Sequence, residues 1–298
     1  CFCAYQLQNN FEVTVFECKK PLQTLLATGG GRCNLAHYEP DFKELAKNYP
    51  RGEKFLYSVF SKFSTVDTLE FFDDIGVKTY VQDDMRVFPK SNSAADVREK
   101  FLKSLNKIKF RKELVLRINT NPLTVVTDCG SYQYEKVIIS TGGHASYDCA
   151  KFLGHNIIEP KPALTGLKTK EDFSSISGVS LKNVRALTFV DDVLFTHEGV
   201  SGPLIYKVSS VKAREKFPYN IGFDLIGETD FQSMLNDNPH KNIKNLLAEL
   251  IPKSFSEYIL KKLNIDMETK SHAINGRTRD NIINKLRNFE ITLTGVSG

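Results

Sequence analysis

No apolar run in this chain approaches the roughly 20 residues that a helix needs to cross a bilayer, and no signal-peptide pattern is visible. The expectation is therefore a protein without a membrane partner, although the chain opens on Cys1 and a leader cannot be read from it. None of the six cysteines (Cys1, Cys3, Cys18, Cys33, Cys129, Cys149) forms a CxxC pair or a Cys/His array with zinc spacing. That argues against a structural metal and against a disulfide framework, and it fits a reducing cytoplasm. A dense basic stripe is also missing. The net charge of +5 is mild for 298 residues, and the lysine clusters at 19–20, 107–112 and 261–262 are short. Nucleic acid is accordingly not an expected partner, since such binding needs clustered charge with aromatic platforms. Without repeats or low-complexity segments, solenoids and disordered linkers are excluded as well.

What is present is ordinary globular composition, 41% hydrophobic and 25% charged, enough for one large domain or two of usual size. Cys1–Asn10 reads as the end of a helix, and Val13–Glu17 as a short strand ending in an acid. Helix, strand and terminal Glu form the second half of a βαβ nucleotide unit, whose Gly-rich turn precedes the acid by about 20 residues. Counting back from Glu17 places that turn before residue 1. A second Gly-rich loop stands at Thr28–Asn34.

Helices are expected over 53–63, over 65–75 behind Ser64-x-x-Asp67, and over 94–105 behind Ser93-x-x-Asp96. Strands are expected over 113–118, 123–128 and 131–140. The apolar Val137-Ile138-Ile139-Ser140 reads as a buried parallel strand running into Thr141-Gly142-Gly143. A short helix over 147–153 follows. After Pro160 and Pro162, residues 163–230 read mostly as strands and 239–287 as helices (242–250, 255–263, 279–286). The expected organisation is a nucleotide-binding domain at 1–159, an insert domain at 160–288, and a final strand at 289–298 that starts a return to the first domain.

Three constellations carry chemistry. In Thr28-Gly29-Gly30-Gly31-Arg32-Cys33-Asn34, three glycines free the backbone to take positive φ and approach a ligand. Their N–H groups can form a nest for pyrophosphate, and Arg32 adds a charged fork of donors; the competing reading is a surface loop with an incidental arginine. Glu17 at a strand end can accept both hydroxyls of an adenosine ribose, or simply meet solvent. Thr141-Gly142-Gly143 lets backbone pass tightly over a dinucleotide, although any strand-to-turn junction can carry Gly-Gly.

Together these runs resemble a family. Thr28–Asn34 with Leu35 is similar to the GGGRCN signature of the aminoacetone-oxidase-like (BaiN/YhiN-like) NAD(P)/FAD-dependent bacterial oxidoreductases. The resemblance continues through Arg86–Val97, Thr141–Gly143, Gly154–Ile157, Pro162–Leu164 and Leu194–Pro203, in family order over nearly the whole chain. It implies an α/β fold: an FAD/NAD(P)-binding Rossmann-like domain with a β-rich insert ending in a small helical part. It further implies that Glu17 holds the adenosine ribose and that Gly29, Gly30, Gly31, Arg32, Cys33 and Asn34 line the pyrophosphate and flavin side. Val115 would approach the adenine through its backbone, Arg86 would lie against the flavin region, and Thr141, Gly142 and Gly143 would cover the dinucleotide. The first GxGxxG loop and a C-terminal flavin-contacting segment of the family lie outside this sequence. Thr24 and His37 stand where the family usually has a basic residue and Asn.

The implied activity is that of an FAD-dependent oxidoreductase. Its flavin would accept a hydride from an organic small molecule and pass electrons to oxygen or NAD(P), with NAD(P)H as the nicotinamide partner. The alternative is a nucleotide-binding or RNA-linked flavoprotein module without redox turnover of its own. Cys33 invites a redox role beside a flavin, but no second cysteine lies within ten residues, and a packing thiol is the preferred reading. His197 reads as structural, with a substrate-side acid or base as the other option.

Overall fold

Phe2–Leu7 forms helix α1, and β1 (Thr14–Phe16) follows after the polar stop at Asn9 and Asn10. In the computed structural model, which describes residues 1–142 and 147–297, these open the first of two units, Cys1–Ile158 and Glu159–Gly298. A kinked 3₁₀ segment (Gln23–Gly31) leads to β2 (Ala36–His37), α2 (Phe42–Lys47), α3 (Glu53–Phe60) and α4 (Thr65–Asp74). Then come β3 (Thr79–Val81), β4 (Arg86–Pro89), α5 (Ala94–Ser104) and β5 (Lys109–Arg111). The strands β6 (Val115–Thr120), β7 (Leu123–Thr127) and β8 (Ser131–Gln133) and helix α6 (Tyr147–Phe152) complete the unit.

Two sequence features set the helix positions here. The Ser64 hydroxyl accepts from Val66 N–H, and the Asp67 carboxylate accepts from Ser64 N–H at 2.7 Å, closing a reciprocal capping box on α4. Ser93 caps α5 by accepting from Asp96 N–H. The apolar faces of these helices meet in a core of Phe71, Phe72, Val97 and Phe101, joined by Ala4 from α1 and by the buried Cys33. Phe71 stands edge-on to both Tyr5 and Phe101 at 5.1 Å between ring centres. This packing holds α1 over the parallel pair β1–β5, in register Thr14↔Lys109 and Phe16↔Arg111.

One expected strand is not formed. Beyond β8 the chain from 134 to 140 has no strand pairing, and Ile138 is 61% exposed. An apolar run becomes a buried strand only when a neighbouring strand supplies ladder partners, and the described residues place none beside it. Missed elements include β5, the parallel partner of β1, which is charged at every second position and so lacks the buried-strand pattern.

The second unit contains β9 (Leu167–Thr169), β10 (Ser180–Ala186), β11 (Phe189–Thr196), β12 (Gly199–Ser201), α7 (Pro203–Val211) and β13 (Tyr219–Phe223). It ends with α8 (Phe231–Asp237), α9 (Ile243–Leu247), α10 (Lys253–Lys262), α11 (Gly276–Arg287) and β14 (Phe289–Val296). Its strands form one antiparallel sheet in the order β10-β11-β12-β9-β14-β13. The two outer strands then meet: Arg185 and Asp224 exchange both backbone hydrogen bonds at 2.9 Å, curling the sheet into a barrel. Thus the last strand, expected to begin a return to the first domain, pairs with β9 and β13 inside the second unit. Its alternating Phe289, Ile291 and Leu293 all point into the core, and burying that face on the sheet settles its place.

In β10 the strand period breaks between Leu181 and Val184, where Asn183 takes φ +53° in a bulge and both apolar residues still face inward. The core is aromatic at its centre, with Phe195 at 4.8 Å from Phe173 and 5.1 Å from Phe255. The stretch expected to be mostly strands also holds α7, which starts at Gly202-Pro203 and buries Leu204, Ile205 and Val208. Pro at a first helical position followed by that spacing is a helix start. No helix among the described residues is long and apolar enough to cross a membrane.

Gly199 sits where β12 crosses β9, and a Cβ there would lie 2.3 Å from the Leu167 carbonyl oxygen. Gly199→Ala is expected to break cooperative unfolding of the second unit in urea. By contrast, Gly227→Ala, in open space at φ +54°, costs only the left-handed strain of about 1–2 kcal/mol. Asp67 is held below the usual carboxylate range, first by the Ser64 backbone hydrogen bond and then by the Ser64 hydroxyl. Because the folded value is the lower one, this stabilisation is complete above about pH 4 and is lost as pH falls through the folded value. The Tm difference between the protein and Asp67→Asn should therefore shrink as pH drops below about 4; a constant difference would contradict it.

Candidate dinucleotide-binding site

The Gly-rich loop departs from helical geometry at Thr28, Gly29 and Gly30. Gly29, Gly30 and Gly31 have φ of +56°, +65° and +84°, and Cys33 follows at +66°. Only glycine takes such a run without repeated strain. At Gly29 space decides as well as conformation: a Cβ would lie 2.7 Å from Asn34 N and 2.9 Å from Phe88 Cε1. At Gly30 and Gly31 the opposite holds, since a Cβ would meet nothing within 4 Å. The loop is thus tight on its inner side and open on its outer side, as a cradle for a ligand must be.

Several bonds fix that shape. Cys33 N–H donates to Thr28 O at 3.1 Å and Leu35 N–H to Val87 O at 2.9 Å. The Asn34 amide, turned to donate, reaches Ala36 O and Val87 O at 3.1 and 3.3 Å. Arg32 stacks its guanidinium 4.1 Å from the centre of the buried Phe88 ring, and its Nε donates to Gly29 O. Among the described residues no carboxylate lies within ion-pairing distance of Arg32. It therefore brings an uncompensated positive charge to the loop. The Cys33 thiol is 1% exposed in the helical core, which favours the packing role over a redox one.

Other expected residues fall in the same unit. Glu17 follows β1, donates its N–H to Arg111 O at 3.0 Å, and accepts from Lys19 N–H at 2.8 Å through one carboxylate oxygen. Val115 opens β6 opposite Thr127, at a register irregularity before Arg117. Arg86 is exposed and clamped by Asp84 at 2.6 Å, with its guanidinium 5.7 Å from the Phe88 ring. Asp84 is held below the usual carboxylate range, chiefly by that hydrogen bond. Thr141 and Gly142 are exposed, Gly142 at φ +81° with open space beyond it; Gly143 lies outside the described residues. In the second unit, His197 is exposed between β11 and β12.

Sequence reasoning missed the residues beneath these. Phe88 is the ring on which Arg32 rests, and its signal was only an apolar residue in a polar loop. Arg111 and Glu113, two apart in extended chain and so on one side, form an ion pair at 3.0 Å beside β1. Glu113 lies below the usual carboxylate range, first because Thr127 donates a hydroxyl hydrogen bond to it, with Arg111 and Tyr132 adding to the effect against desolvation. The open cradle and the unpaired guanidinium fit the diphosphate of an FAD or a nicotinamide dinucleotide.

Two family models match the chain in succession. Residues 1–201 match the model of the HI0933-like protein Rossmann domain, and residues 161–298 that of the HI0933-like protein barrel and H2TH domain. The chain is 23% identical over 310 residues to the ribosomal RNA dihydrouridine synthase of Escherichia coli K12, covering 94% of this chain and 74% of that protein. It is 25% identical over 328 residues to the Haemophilus influenzae protein of the same name, covering 100% and 80%. It is 24% identical over 323 residues to the 3-dehydro-bile acid delta(4,6)-reductase of Clostridium scindens, covering 96% and 78%. With its Rossmann-like unit followed by a curled β-rich domain and helices, this chain belongs to the HI0933-like family.

Proposed function

We propose that this chain is an FAD-dependent reductase, of the BaiN/YhiN-like kind, acting on a carbon–carbon double bond conjugated to a carbonyl. The observation that carries the cofactor assignment is the Gly29–Asn34 cradle, open at Gly30 and Gly31 and charged by Arg32. Gly30, Gly31 and Arg32 would take the diphosphate, Glu17 the adenosine ribose, and Val115 the adenine edge. Asn34, Arg86, Thr141, Gly142 and Gly143 would line the remaining path, with Cys33 contributing backbone only. FAD, when bound, supplies the hydride. The protein supplies the rest: the loop neutralises phosphate charge, Phe88 keeps Arg32 aimed, and Asp84 holds Arg86 to one direction.

The names of the relatives support a direction of transfer. A dihydrouridine synthase and a delta(4,6)-reductase both saturate a double bond, so the organic molecule is here read as the hydride acceptor and NAD(P)H as the donor. That reverses the direction expected from sequence, in which the flavin was to oxidise an organic donor. The acceptor chemistry common to uridine and to a steroid dienone is an electron-poor alkene.

The test is anaerobic. The full chain is loaded with FAD, reduced with NADPH or NADH, and mixed separately with a steroid dienone, free uridine and a uridine-containing ribosomal RNA fragment. Return of the oxidised flavin band with one of these, and recovery of its saturated product, is expected. Failure to bind FAD at excess, or a flavin that stays reduced with all three acceptors, would sink the reading. Arg32→Gln is expected to weaken FAD binding about tenfold or more, the loss of one charge-assisted contact. Gly31→Ala should lower stability by about 1–2 kcal/mol, and Gly31→Val should reduce FAD binding further by filling the cradle. Equal FAD affinity in all three variants would contradict these assignments.

A further inference from the structure

The Arg111–Glu113 pair stands outside the cradle, yet it is heavily bonded. The Glu113 side chain is only 10% exposed. Its Oε1 accepts from Arg111 Nη1 at 3.0 Å and from Tyr132 OH at 3.2 Å, and its Oε2 accepts from Thr127 Oγ1 at 2.7 Å. Arg111 also donates to Tyr132 OH at 3.1 Å and lies 4.2 Å from that ring's centre. One atom is left over: Arg111 Nε is buried with no hydrogen-bond partner. Partly burying a carboxylate and a guanidinium, with one donor left without a partner, is a poor way to gain stability; apolar residues of similar volume usually do as well or better. Such an arrangement is explained by what it holds in place.

What it holds is the adenosine end. The Arg111 carbonyl accepts from Glu17 N–H at 3.0 Å, so the guanidinium and the ribose acid share one backbone junction. Phe16, beside Glu17, packs on Tyr132 at 5.5 Å and on Tyr134 at 6.0 Å. Thr127 is the register partner of Val115. Arg111 thus bonds Glu17 directly and Thr127 pairs with Val115, while Tyr132 packs on Phe16 next to Glu17 and Glu113 stands two residues before Val115. We propose that Arg111, Glu113, Thr127 and Tyr132 are positioning residues that fix Glu17 against Val115 at the spacing of an adenosine, so that this end selects an adenylate over a flavin mononucleotide. This rests on the dinucleotide reading above but concerns residues that touch no part of the cradle. The physical basis is preorganisation. A carboxylate meant for two ribose hydroxyls and a strand edge meant for a purine work only at a fixed separation. An ionic network that ties four side chains together on a sheet end holds that separation more rigidly than a loop can.

The test is calorimetric titration of the full chain, the Glu113→Gln variant and the milder Thr127→Val variant with ADP, FAD and FMN. Glu113→Gln is expected to weaken ADP and FAD in parallel by about tenfold, and Thr127→Val by about threefold, with FMN affinity unchanged within about twofold. The ratio of ADP to FMN affinity is the decisive readout, because general loosening of the unit would lower both. ADP affinity within twofold of the parent in both variants overturns the proposal, and so does a parallel loss of ADP and FMN. A parent chain that binds ADP but not FAD overturns the flavin reading alone, and the variants then still decide the network with ADP.

Discussion

Four left-handed backbone positions between Gly29 and Cys33 are the constraint on which the first unit depends. They turn the chain sharply enough to bury the Cys33 thiol among Phe71, Phe72 and Phe101 while leaving Gly30 and Gly31 facing open space. An ordinary residue at Gly29 would meet Phe88, and without Phe88 the Arg32 guanidinium would lose its platform. Packing below and the open cradle above are thus consequences of one local conformation. The helical core does not merely support the loop; it receives the loop's own side chain as a member.

The two charged centres of this unit work differently. Among the described residues Arg32 carries a charge without a carboxylate partner beside the open glycines. Glu113 accepts three hydrogen bonds from Arg111, Tyr132 and Thr127, which hold its carboxyl below the usual carboxylate range. One group is left without a countercharge and the other is tied to three neighbours, which divides attraction from rigidity within one unit.

Much of this was legible in the sequence, and what was not had physical reasons. The capping box at Ser64 and the cap at Ser93 announced α4 and α5, because cap chemistry is local. The glycine run announced its loop for the same reason. The α/β class and the β-rich second part were readable from patterning and family resemblance. Val137–Ser140 misled because apolar character states a preference for burial but supplies no partner strand. The strand β14 misled because its alternation fits any sheet face, and only pairing with β9 and β13 assigns it. The Arg111–Glu113–Tyr132 cluster joins residues 21 apart through a turn, a nonlocal arrangement that no window of sequence displays.

The curling of the second unit also sets an order of events during synthesis. Strand β9 lies at Leu167–Thr169, yet its neighbour β14 ends at Val296, so the middle of the sheet waits for the last strand. Until then β9 and β13 each present an unpaired side, with Phe223 and Leu167 lacking their cover. A nascent chain held short of that point carries two open strand edges, the usual template for misassociation between chains. Ribosome-bound intermediates of this protein should therefore depend on holding chaperones over the interval between β13 and β14, and escape that dependence once residue 296 has emerged.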